Sequence, residues 1–210
     1  MQPRVLFLGE VNYTDTFAWM KEFTRTRGKD TCDEFWVLSH PAVFTQGTSC
    51  EAQPQRSTAN IPLVKTDRGG QITYHGPGQL IVYLLLDIKR LGMGPKRLVK
   101  RIEFAIISLL DQLGIHAEMR AGAPGVYVAE EKIAALGLRI RQGACYHGIS
   151  LNIDMDLSPF DLIDPCGYAG LKVTQISAQG VNRPESQITD QLIDCLTDSI
   201  YSPIDSEARA

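Results

Sequence analysis

Residues 125–155 read GVYVAEEKIAALGLRIRQGACYHGISLNIDM. Three extended segments can be cut from this stretch: GVYVA, IAALGLRI and HGISLNIDM. Each is rich in β-branched, aromatic or small residues, and short polar turns separate them. No helical periodicity intervenes, and successive strands without a crossover helix pair antiparallel. Four further segments, RVLFLGEV, EFWVLS, QITYH and LIVYLLLDI, also read as strands. The apolar run LIVYLLL, residues 80–86, predicts a central strand buried on both faces.

Three helices complete the pattern. The first is expected from Thr14 to Arg27, with Thr14 or Asp15 as cap, Gly28 as stop, and Trp19, Met20 and Phe23 as its apolar face. The second starts at Pro95 and stops at Gly114. Its Leu98, Ile102, Ile106, Leu109 and Leu113 recur at helical spacing. The third follows Pro184, with Ile188, Leu192, Leu196 and Ile200 four apart. Together these elements predict an α+β fold, a mixed, largely antiparallel sheet with packed helices. A single domain over residues 1–210 is expected, with a polar loop at 50–61, CEAQPQRSTANI.

The composition is that of an ordinary globular chain, 44% hydrophobic and 21% charged. A net charge of -3 and a pI near 5.8 give no general case for nucleic-acid binding. No apolar run approaches the roughly 20 residues a spanning helix needs. The opening MQPRVLFLGEV is too short in apolar residues for a signal peptide. Five scattered cysteines, with no CxxC pair, read as reduced thiols in a cytoplasmic protein.

Four stretches could carry chemistry. RGGQITYHGPGQ, residues 68–79, sets Gly69, Gly70, Gly76 and Gly78 beside Arg68, Tyr74 and His75. Its glycines would let the backbone approach a ligand, or simply form a β-hairpin at a Gly-Pro turn. In EEKIAALGLRI, Lys132 opens a strand whose Ala134, Ala135 and Gly137 leave room against the sheet. A lone lysine there would ordinarily be exposed. In YHGISLNID, His147, Gly148, Ser150 and Asn152 alternate with Ile149, Leu151 and Ile153. That polar face lines a cleft or meets water. Finally, IDPCGYAG holds Cys166 between a proline and a glycine. A free thiol with a pKa near 8.5 needs a neighbouring base or cation to react at neutral pH. His75, His147 and Lys132 are the available partners.

In this order, RGGQITYHGPGQL, KIAALGLRI, HGISLNI and DPCG resemble the lipoyl(octanoyl) transferase family over nearly the whole chain. The resemblance implies the fold of the biotin/lipoate ligase catalytic domain. It implies transfer of an octanoyl group from the phosphopantetheine thioester of acyl carrier protein, through a cysteine thioester, to a lysine on a lipoyl domain. The acceptors would be 2-oxoacid dehydrogenases and the glycine cleavage H protein. On these motifs Cys166 is the nucleophile and Lys132 its partner. Arg68, Gly69, Gly70, Gln71, Ile72, Thr73, Tyr74 and His75 are carried over as acyl-binding, with Ala135, Leu136, Gly137, Gly148, Ile149 and Ser150. No ATP, metal or other cofactor is implied, and a monomer is expected.

Thioester exchange is nearly isoenergetic, and an acyl thioester remains activated towards an amine, so such a transfer needs no further energy source. Lys132 could favour the thiolate as an ammonium or carry protons as an amine. The sequence also offers a docking surface for an acidic carrier protein. KRLGMGPKRLVKR, residues 89–101, places Lys96, Arg97, Lys100 and Arg101 in one stripe of the second helix. Three other readings stay open. One is an ATP-dependent lipoate or biotin ligase of the same fold. Another is a catalytically dead relative that only binds lipoyl domains. The third is a Cys–His hydrolase using His75 or His147.

Overall fold

In the computed structural model, which describes residues 2–50, 60–163 and 171–202, the strands run in two sheets. The elements follow in the order β1 (Arg4–Glu10), α1 (Tyr13–Thr26), β2 (Glu34–Ser39), β3 (Val43–Gln46), β4 (Leu63–Lys65), β5 (Ile72–His75) and β6 (Gln79–Asp87). Then come α2 (Pro95–Gln112), β7 (Glu118–Met119), β8 (Gly125–Val128), β9 (Glu131–Arg141), β10 (Ala144–Asn152) and α3 (Glu185–Tyr201). The large sheet has seven strands in the order β1-β2-β6-β10-β9-β8-β7, and the small one has three, β4-β3-β5.

The stretch quoted first forms β8, β9 and β10, paired antiparallel as the sequence suggests. Gln142 and Gly143, both at positive φ, make the two-residue turn between β9 and β10, the geometry whose twist matches a hairpin. β6 lies between β2 and β10, and Leu80 to Leu86 are all buried. The chain fold is mixed: β1–β2 and β3–β4 are parallel and the other pairs antiparallel.

The two faces of the large sheet bury different partners. On one, α2 and α3 pack their Leu98, Ile102, Ile106, Ile188, Leu192 and Leu196 against Phe35, Val82, Leu84, Ala134 and Leu151. On the other, Tyr13 and Met20 of α1 meet Trp36, Leu38, Ile81, Tyr83, Leu85 and Tyr146. The alternation of residues along β6 serves both cores.

Several details depart from the sequence reading. Asn12, not Thr14 or Asp15, occupies the N-cap of α1, and its carbonyl accepts from both the Thr16 hydroxyl and the Thr16 N–H. Trp19 is 48% exposed, while Met20 and Phe23 of the expected face do pack and Tyr13 joins them. The Gly-Pro stretch is no hairpin turn. β5 pairs with β3 in the small sheet while β6 pairs with β2 and β10, so Gly76-Pro77-Gly78 carries the chain from one sheet to the other. Gly78, at φ 82°, passes so close to Asp154 that a Cβ would lie 2.0 Å from its carbonyl oxygen. Most of the expected loop at 50–61 lies outside the described residues.

Candidate active site

A narrow cleft lies on the α1 face of the large sheet, under the small sheet. Its floor is two rows of cross-strand neighbours: Tyr83–Gly148–Gly137, then Ile81–Ser150–Ala135. Successive residues on one strand face are about 6.6 Å apart, so the strip runs along the strands. Gly70, Gln71, Ile72 and Thr73 form one wall, with Arg68. The cavity measures about 60 Å³. Small residues make it possible. At Gly148 a Cβ would sit 2.0 Å from the Val82 carbonyl oxygen, and at Gly137 it would sit 3.0 Å from Arg68 Cδ.

Rings close the far end. Tyr13, His75, Tyr83 and His147 line it, all buried. Each is tied down by a neighbour. Tyr13 donates to Thr66 Oγ1 at 3.0 Å. His40 Nδ1–H donates to the Val11 carbonyl, which leaves Nε2 to accept from the Tyr83 hydroxyl at 2.7 Å. His75 Nδ1–H donates to Gln79 Oε1 at 2.7 Å, and Gln79 Nε2 donates to Asn152 Oδ1 at 2.9 Å. His147 Nε2–H donates to Asp67 Oδ1 at 2.9 Å, while Tyr146 donates to Asp67 Oδ2. His147 stands at φ 60° inside a strand, a costly backbone for a non-glycine residue.

Burial sets the charge state of these rings. It lowers His75 to about 3 and His40 to about 4, so both imidazoles are neutral. His147 is lowered by the same desolvation, against the pull of the Asp67 carboxylate. Burial raises Asp67, but hydrogen bonds from His147 and Tyr146 outweigh it and hold the carboxyl below its usual range.

At the other end stands Lys132. Its side chain is buried, 3% exposed, where a lone lysine would be expected in water. Nζ donates to the Pro124 carbonyl at 3.0 Å and lies 5.1 Å from the centre of the Tyr127 ring. The small chamber around it shares Thr73, Ala135 and Ser150 with the main cleft, so the two spaces adjoin. His147 faces Leu138 across the ladder, six residues along β9 from Lys132. At about 3.3 Å per residue the two backbone positions are about 20 Å apart along the strand.

Cys166 lies outside the described residues, but its flanks do not. Phe160 before it and Val173 after it both line the Lys132 chamber. The returning segment pairs with Lys132 directly: Lys132 N–H donates to the Lys172 carbonyl at 2.9 Å and Thr174 N–H to the Lys132 carbonyl at 3.0 Å.

The structure brings together most residues singled out from the sequence. Arg68, Gly70, Gln71, Ile72, Thr73, His75, Ala135, Leu136, Gly137, Gly148, Ile149 and Ser150 all line the cleft. Two do not. Tyr74 packs on Phe44 and Phe160, and Gly69 anchors its loop by donating to the Leu138 carbonyl at 3.0 Å. Arg68 is a framing residue, with hydrogen bonds to Thr45 Oγ1 and O and to the Gly69 carbonyl. Sequence reasoning missed Tyr13, His40, Asp67 and Tyr83: Tyr83 sits in an apolar run, Tyr13 opens a helix, and His40 and Asp67 lie in short connecting segments whose long-range partners no local pattern shows. The polar face of β10 lines the cleft and does not meet water.

The basic stripe is placed differently from the docking surface it suggested. α2 packs on the opposite face of the large sheet from the cleft. Arg101 is turned inward, its guanidinium donating to the Ser199, Ile200 and Ser202 carbonyls at the end of α3.

Residues 12–197 match the family described as the lipoyl protein ligase A/B catalytic domain. A Chromobacterium violaceum protein named octanoyltransferase is 55% identical over 192 residues, 91% of this chain and 93% of that one. Another of that name, from Vesicomyosocius okutanii, is 58% identical over 173 residues, covering 82% of this chain and 85% of its own length. Among solved structures, a lipoate-protein ligase A bound with ATP superposes with a TM-score of 0.80 at 17% identity, covering 95% of this chain and 86% of that one. The Aquifex aeolicus biotin protein ligase in complex with biotin and ATP gives 0.62 at 13% identity, covering 94% and 70%. At such low identity these two likenesses speak for the fold alone.

Proposed function

Because the chain belongs to the lipoyl protein ligase A/B catalytic domain family, we propose that it is an octanoyltransferase working through a Cys166 acyl-enzyme, with Lys132 as its proton carrier. The observation that carries the pairing is the Lys132 chamber. Both flanks of the Cys166 segment border it, and it opens beside an apolar slot floored by Ala135, Gly137, Gly148 and Ser150. The donor is octanoyl-acyl carrier protein, and the acceptor is a lysine on the lipoyl domain of a 2-oxoacid dehydrogenase or of the glycine cleavage H protein.

The chemistry balances in two steps. The Cys166 thiolate attacks the thioester carbonyl, the bond to the phosphopantetheine sulfur breaks, and that sulfur leaves with the proton Lys132 had taken from Cys166. The acceptor amine then attacks the acyl-enzyme, the bond to Cys166 breaks, and the amine's proton returns through Lys132 to the thiolate. The amide product is more stable than the thioester, so the scheme requires neither ATP nor a metal. A reactive thiol of this kind fits the reducing cytoplasm.

The slot supplies binding. Each buried methylene contributes about 0.8 kcal/mol, so six contribute about 5 kcal/mol before ordering costs. The ring cluster at the far end stops the chain. The described flanks of the Cys166 segment, Phe160 and Val173, border the chamber of Lys132, which neither His75 nor His147 lines, and this disfavours a Cys–His hydrolase built on either. Relatives 52–58% identical are named octanoyltransferase, which favours transfer over the ligase reading that the fold alone permits.

Intact mass spectrometry after mixing with octanoyl-acyl carrier protein tests the proposal. One octanoyl group is expected on Cys166 and none on Cys166→Ala; an adduct elsewhere, or free octanoate as the product with a lipoyl domain present, would refute it.

A further inference from the structure

We infer that Glu103 is a positioning residue for Lys132, acting through the single peptide group that joins Pro124 to Gly125. Among the buried residues of α2 it alone carries a charge, set between Ile102, Ala105 and Ile106. It is 6% exposed. A carboxylate on the apolar face of a helix is costly, and packing does not explain it. Its Oε1 accepts from the Gly125 N–H at 2.9 Å. On the other side of the same peptide, the Pro124 carbonyl accepts from Lys132 Nζ at 3.0 Å. The peptide is planar, with its N–H and C=O directed apart. Glu103 and Lys132 therefore grip one rigid group from opposite sides.

Gly125 is part of the same device. It stands at φ 139°, and a Cβ there would meet Lys132 Cε at 2.9 Å and Nζ at 3.1 Å. Only glycine lets the lysine stem lie against this turn. A lysine side chain has four rotatable bonds and high conformational entropy. A carbonyl fixed in place selects the rotamer that holds the amine in the chamber. Glu103 fixes that carbonyl by holding its peptide, and it does so from the helix layer behind the sheet.

The inference rests on the reading that Lys132 serves the transfer reaction. Its test is steady-state octanoyl transfer by the full chain, with thermal melting of each variant. Glu103→Leu should lower kcat by about 10- to 100-fold with KM for octanoyl-acyl carrier protein unchanged. Its melting temperature should change little, because loss of the buried carboxylate offsets the Gly125 N–H left without its acceptor. Glu103→Gln keeps an acceptor for Gly125 and should retain kcat within about threefold of the wild type. If Glu103→Leu is not recovered folded, Glu103→Met, closer in length to glutamate, carries the same expectation. A folded leucine or methionine variant at wild-type kcat overturns the inference. So does a kcat loss matched by a fall in melting temperature, or a glutamine variant as impaired as leucine. Lys132→Met is run beside them: if it transfers at the wild-type rate, the assignment of Lys132 itself falls, whereas an inactive Lys132→Met beside a fully active Glu103→Leu removes only the role of Glu103.

Discussion

Lowering the pH from 6.5 to 4.5 should destabilise this protein steeply, and two buried histidines set a lower bound on the effect, to which the lowered His147 adds. His75 and His40 titrate near 3 and near 4 in the folded chain because burial disfavours their charged forms. In the unfolded chain each titrates near 6.5. Between these values the unfolded state holds protons that the folded state does not, so stability falls as pH falls. Each ring loses about 1.4 kcal/mol per pH unit in that window. At pH 4.5 each contributes a loss of about 2.5 kcal/mol, and the two together about 5 kcal/mol. That is a large part of the 5–15 kcal/mol typical of a folded domain. Arg68 lies near His75 and adds to its reluctance to charge. Urea unfolding at pH 7.0 and 4.5 measures the effect. His75→Gln should reduce the difference between the two pH values by about 2.5 kcal/mol. The carboxylates held low, such as Asp67, lose their contribution only at still lower pH. Equal unfolding free energies at the two pH values, or a His75→Gln variant with the wild-type slope, would refute the argument.

Other outcomes follow from the site. Lys132→Met should lower the rate of octanoyl transfer by about 10² to 10⁴; a variant keeping more than about a tenth of the wild-type rate would contradict the proton-carrier role. Tyr83→Ala removes a ring that ends the cleft and should move the preferred acyl chain beyond eight carbons. Competition among acyl-carrier thioesters of increasing length reads this directly, and an unchanged optimum would locate the stop elsewhere. Gly148→Ala must push the Val82 carbonyl away in the middle of the sheet and should cost about 3 kcal/mol or more in urea unfolding. Reversing Lys96, Arg97 and Lys100 to glutamate should leave KM for octanoyl-acyl carrier protein unchanged, since their helix lies behind the sheet from the cleft; a raised KM would restore that stripe as the docking surface.

Local pattern made much of the fold legible. The helical spacing from Leu98 to Leu113 and the extended run from Gly125 to Met155 each depend on neighbours in sequence, and both formed as read. What failed depended on long-range pairing. The Gly76-Pro77-Gly78 stretch has the residues of a hairpin turn, but β5 finds its partner in β3, some thirty residues earlier. β3 and β4 are only four and three residues long, too short for a period to show. The glycine- and alanine-marked walls of the cleft could be found because small residues inside strands are unusual. The rings that close it could not, because Tyr83 sits within an apolar run and reads as core. Glu103 was hidden for the opposite reason. A charge in a helix normally marks the wet side, and only the tertiary fold shows this one turned inward.

The glycines and serine under the cleft belong to β9 and β10, each bonded on both sides within the large sheet. The slot therefore has no floor of its own that could soften first. Heat should silence the enzyme only as the whole sheet comes apart, so the curve of lost turnover against temperature should overlay the melting curve instead of preceding it.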